Sequence, residues 1–133
     1  VSRRSEGTFV AGGFQESMID PMVYGIILQG QDFDSLMELR ELIEVGIIRL
    51  AVKKKTPEGM AKVRSALEEF EDAACGKLGG DIVGCAFRAD DAFHDAVSAL
   101  CKNELADKIN RVVRTLTYAV RRKTVETMIK TGI

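Results

Sequence analysis

Apolar residues recur every three to four positions from about Phe14 to the end of the chain, the spacing of helices that each bury one face. Gln15 to Gln29 carries Met18, Met22, Tyr24, Ile26 and Leu28, with Asp20-Pro21 able to begin a helix or kink one. A second helix is expected from Leu36 to Lys54, capped by Asp34 or Ser35, with Leu36, Leu39, Ile43, Ile47 and Leu50 on one face. Thr56-Pro57-Glu58 is a helix start: a hydroxyl cap, a proline in the first turn, and a carboxylate at the positive end of the dipole. Met60, Val63, Leu67, Phe70 and Ala74 continue it until Gly76, Gly79 and Gly80 end it. Asp81 is placed to cap a fourth helix reaching about Leu100. Asn103 is placed to start a fifth, carrying Leu105, Ile109, Val112, Leu116 and Val120. The pattern predicts an all-α, antiparallel helical bundle with short connections.

The first eleven residues break that pattern. Ser2 to Gly7 is polar, Thr8-Phe9-Val10 favours a strand, and Gly12-Gly13 reads as a linker. A single strand has no ladder partner, so this segment is expected to be the second half of a hairpin. The chain therefore divides into a β remnant (residues 1–11), a linker (12–16) and a helical domain (17–133).

Composition narrows the function. A length of 133 residues suits one domain, and a net charge of −1 excludes a protein that coats nucleic acid by charge alone. No uncharged run is long enough to cross a bilayer, and no apolar stretch follows Arg3 and Arg4 as a secretory signal requires. The three cysteines, Cys75, Cys85 and Cys101, lack CxxC spacing and are expected to be buried or half-buried free thiols.

The informative residues are the charged ones that fall on inner faces. At about 100° per residue, Asp90 lies at the edge of the fourth helix's apolar face and Asp91 on its solvent side. His94 follows Asp90 by one turn, so the two are either half of a divalent metal site or a helix-surface pair. Arg40 falls on the apolar face of its helix, where a guanidinium needs a counter-charge. Glu44, one turn on, can supply it, as can a bound carboxylate. Arg111, Arg114, Arg121 and Arg122 are expected on the solvated face of the fifth helix.

Several of these stretches resemble one family. Leu36-Met37-Glu38-Leu39-Arg40-Glu41-Leu42-Ile43-Glu44 resembles the opening helix of the ligand-binding (FCD) domain of FadR-type GntR transcription regulators. Gly80-Asp81 followed by Asp90, Phe93 and His94 is similar to the same domain's D-x-x-F-H element, and Asn103 to the asparagine of its next turn. Arg4-Ser5-Glu6-Gly7-Thr8-Phe9-Val10-Ala11 resembles the wing of the family's winged helix-turn-helix.

The resemblance implies a cytoplasmic, homodimeric regulator whose small organic or sugar-acid effector changes how it holds operator DNA. It assigns Arg40 and Asn103 to the effector, Asp90 and His94 to a divalent metal (zinc in the intact protein), and Arg3, Arg4, Gly7 and Thr8 to DNA through the wing. Family members complete the metal site with two later histidines. This chain has only His94, so it resembles a domain truncated at both ends, holding metal weakly or not at all. Two other classes remain open on the residues themselves: a metal-assisted hydrolase or lyase, and a purely structural helical dimerisation domain.

Overall fold

The computed structural model describes residues 33–132. The strand-like segment, the linker and the helix expected over 15–29 lie outside these residues. Five helices fill the described part: α1 (Phe33–Lys54), α2 (Pro57–Ala74), α3 (Ile82–Ala99), α4 (Glu104–Leu116) and α5 (Tyr118–Thr131). No strand occurs among the described residues, and none of their helices is long and apolar enough to cross a membrane.

Local chemistry sets the boundaries. Thr56 caps α2 by accepting the Gly59 amide at 3.0 Å, with Pro57 in the first turn. The chain leaves α2 through Gly76, Gly79 and Gly80 at φ of +78°, +71° and +64°, a left-handed path that only glycine follows without strain. Asn103 caps α4, its Oδ1 accepting the Ala106 amide at 3.0 Å. Asp81 precedes α3 in extended geometry but makes no side-chain cap bond.

The single long fifth helix expected from Asn103 onward is instead two helices that meet at Thr117. Thr117 is buried, and its hydroxyl donates to Val113 O at 2.9 Å. The Arg121 guanidinium donates to Arg114 O through Nε and Nη2, at 3.3 and 3.1 Å. Side-chain bonds of this kind satisfy backbone groups at a helix end and so stabilise the break.

α2 and α3 form the most extensive helix pair, with α1 and α4 packed on one side and α5 across the other end of α3. The apolar core is split in two. One cluster gathers Ile47, Ala51, Leu100 and Cys101, with Met60 and Val97 against it. The other gathers Ala73, Ala86, Phe87 and Val125. On α3 the clusters are separated by Asp90, Asp91 and His94, so a polar layer lies between two greasy ones.

Candidate functional site

Two contacts fix how α4 lies on α3. Ser98 Oγ donates to Asp107 Oδ1 at 2.8 Å, and Arg114 Nη2 pairs with Asp91 Oδ1. Both fit one antiparallel register, which puts Asn110 level with Asp95 and one residue from His94. At the end of α3, Cys101 Sγ donates to Ile47 O at 3.1 Å. The cleft between α1 and α4 runs from Leu50 and Asn103 down to Leu42 and Ile109, so α1 descends beside α4 and parallel to α3. Arg40 precedes Ile47 by seven residues, as His94 precedes Cys101. At about 1.5 Å per residue both lie roughly 10 Å from that contact, in the same layer.

Asp90 and His94 come together as expected: His94 Nε2 stands 3.6 Å from Asp90 Oδ1, with side chains 33% and 22% exposed. Burial pushes the Asp90 carboxyl up. The His94 hydrogen bond and the positive charges of His94, Arg114 and Arg121 outweigh it and hold the group below its ordinary range. A carboxylate lowered in the folded state contributes stability above its unfolded value, lost as pH falls through the folded one. In metal-free buffer, thermal stability should therefore drop below about pH 4, and Asp90→Asn should flatten that acid limb in a melting-temperature profile.

Arg40 is partly buried and its Nε pairs with Glu44 Oε2, so the internal counter-charge is present. Its Nη groups have no partner among the described residues, and no hydrogen bond or ion pair joins it to Asp90 or His94. Asn103 spends its Oδ1 on the α4 cap and borders the apolar cleft, of about 320 Å³, beside the layer rather than the layer itself. Arg3, Arg4, Gly7 and Thr8 lie outside the described residues.

Of the arginines of α4 and α5, Arg114, Arg121 and Arg122 depart from the solvated face expected of them, and Arg111 does not. Arg111 is exposed and pairs with Asp107 at 3.2 Å. Arg121, however, is 7% exposed: its Nη1 lies 2.9 Å from Asp91 Oδ1 and 3.8 Å from Asp90 Oδ2, and its guanidinium sits 5.0 Å over the Phe87 ring. Arg114 is also largely buried by its pair with Asp91, and Arg122 covers the same ring at 5.7 Å. Asp91, placed on the solvent side by helix arithmetic, is thus the counter-ion of two arginines. The reason is geometric. The buried line on α4 and α5 is Asn110, Val113, Thr117, Arg121 and Val125, whereas Leu105 and Ile109 of the expected apolar line are 70% and 41% exposed.

Asn110 is the residue that the sequence reading missed. Of the buried polar residues, Ser98, Thr117 and Arg121 have side-chain partners. Asn110 is 5% exposed, and its amide has no partner among the described residues. A buried amide left unsatisfied costs about 1–3 kcal/mol, so such a group commonly marks a place for water or a ligand. Its spacing of three residues to Val113 and seven to Thr117, the period of one helix face, was a detectable signal.

The thiols are simpler. Cys101 is buried and burial pushes its pKa up, Cys85 is half-buried, and Cys75, contrary to expectation, is exposed at the end of α2.

Comparison with known proteins decides the family. The model of the FCD domain matches residues 35–130. The chain belongs to the FCD-domain family. It is also 28% identical over 123 residues to the HTH-type transcriptional regulator LutR of Bacillus subtilis (strain 168), a match covering 92% of this chain and 53% of LutR. The chain thus spans about half the length of the curated relative it matches. No solved structure matches it significantly. The FadR-type GntR resemblance and the all-α bundle are borne out, and the family is one of regulators rather than enzymes, which sets aside the hydrolase or lyase alternative.

The metal site expected from the resemblance is less complete. Among the described residues no group of three or more His, Cys, Asp or Glu side chains converges on one point. Asp90 and His94 supply two donors, and the Arg121 guanidinium beside Asp90 opposes a second cation there. These residues alone do not make a closed site of the kind that holds zinc tightly.

Proposed function

We propose that this domain senses a small carboxylic acid within the polar layer and passes its occupancy to a DNA-binding segment of a homodimeric, cytoplasmic regulator. The single observation that supports this most is Asn110, a buried amide with no partner among the described residues, at the level of His94 and of Arg40, whose Nη groups also have none there. An acid bound there would meet the Arg40 fork through its carboxylate and the Asn110 amide through a hydroxyl or second oxygen. Asp90 and His94 form the third wall. They would hold a divalent ion only loosely unless further donors join them, and such an ion would add positive charge facing the acid. In this reading Asn103 acts by fixing the start of α4. The similarity to LutR, an HTH-type transcriptional regulator, supports operator DNA as the macromolecular target, contacted in part by Arg3, Arg4, Gly7 and Thr8.

Thermal shift of the full chain against a panel of small organic and sugar acids tests the proposal. A matched acid at a hundred times its Kd should stabilise the fold by about 2.7 kcal/mol. Arg40→Ala should remove that gain while leaving the ligand-free melting temperature nearly unchanged, since it deletes only a half-exposed pair with Glu44. An unchanged response in Arg40→Ala would place the acid elsewhere. Zinc titration of the parent and His94→Ala reads the metal part separately.

A further inference from the structure

α1 carries a second apolar face that nothing in the described structure covers. Leu42 is 73% exposed and Val45 45%, although both are large aliphatic residues in the middle of a helix. At about 100° per residue, Glu38, Leu42, Val45, Gly46, Arg49 and Lys53 fall within roughly 50° of one line, on the side away from Ile47 and the core. All six are exposed. Gly46 is the odd member. A mid-helix glycine is unfavourable, and a Cβ built there meets no atom of the described residues within 4 Å, so packing among them does not require it. A bare backbone at the centre of an exposed aliphatic stripe suits the close approach of another helix.

The charges say which helix. The stripe is acidic at its start (Glu38) and basic at its end (Arg49, Lys53), with the aliphatic residues between. We infer that this face of α1 packs antiparallel against the same face of a second copy of the chain, about a two-fold axis passing between Val45 and Gly46. That axis sets Glu38 level with Lys53 of the partner subunit, and Leu42 beside the aliphatic stem of the partner's Arg49. Val45 then lies over the bare backbone of the partner's Gly46. Each contact occurs twice, as two-fold symmetry requires. A parallel arrangement would instead set acid on acid and base on base. The inference rests on the two-subunit reading proposed above and adds to it the surface, the direction and the residues.

Sedimentation equilibrium of the full chain tests it. The parent is expected to be a dimer. Val45→Arg should raise the dimer dissociation constant roughly a hundredfold, since two buried charges meet at the axis, with helicity by circular dichroism unchanged. Glu38→Lys and Lys53→Glu should each weaken the dimer roughly tenfold, because each substitution acts twice. The double variant Glu38→Lys/Lys53→Glu should restore it. A parent that stays monomeric overturns both the two-subunit reading and this interface. A parent dimer indifferent to Val45→Arg, or a double variant that is not restored, overturns this interface alone. A Val45→Arg chain that melts earlier yet stays dimeric also overturns it, and would assign the face to another segment of the same chain.

Discussion

Arg121→Ala is expected to destabilise the bundle by about 3 kcal/mol, read as a shift of roughly 15 °C in melting temperature for a domain of this size. The side chain is buried, so its removal leaves a cavity lined by the groups it held. Asp90 and Asp91 lose their shared counter-ion, and Arg114 O loses two donors at the junction of α4 and α5. The Phe87 face loses the cation stacked on it. Asp91 is 40% exposed and keeps Arg114, which holds the cost near the lower end of the range for a broken buried pair. Arg121→Lys should recover little, because an ammonium cannot reach the carboxylates and the carbonyl with one planar fork. Arg111→Ala, on the exposed side of α4, should change stability by less than about 0.5 kcal/mol. Equal losses in the two alanine variants, measured by urea unfolding, would show that Arg121 is not held as described.

Asn110→Leu should do the reverse in the ligand-free state. Leucine has the same branching and no polar atoms, so it removes an unsatisfied buried amide and should stabilise the fold by about 1 kcal/mol. The same change should abolish the thermal shift produced by a bound acid, because the pocket loses the donor and acceptor that orient it. A gain in stability coupled to a loss of response separates a binding residue from a structural one, for which removal costs stability and leaves binding alone. If Asn110→Leu melts earlier than the parent, the amide has a structural partner and the sensing reading loses its main support.

Much of the fold was legible along the chain. The Thr56-Pro57-Glu58 start, the glycine exit after α2 and the Asn103 cap depend on residues adjacent in sequence, and they occur within a residue or two of the expected places. The Asp90–His94 pair was legible for the same reason, since one helical turn is a local distance. The α4–α5 break and the inward turn of Arg121 were not. A count of apolar residues weights Leu105 and Ile109 as inner positions and has no way to credit an arginine with a buried counter-ion. That counter-ion sits on a different helix, at Asp91, 30 residues earlier in the chain.

By itself, the sequence determined an all-helical bundle, the ends of most of its helices, its likeness to FadR-type regulators and the pairing of Asp90 with His94. All of these follow from short-range periodicity, capping chemistry or local motifs. Tertiary structure alone decided which face of α4 and α5 turns inward. It also decided that Asp91 serves two arginines, that Asn110 is buried with no partner among the described residues, and that Arg40 shares a layer with His94. Those facts depend on the register between helices, set by a few contacts such as Ser98 with Asp107 and Cys101 with Ile47. Desolvation and charge pairing across helices are properties of that register, and no single helix carries them.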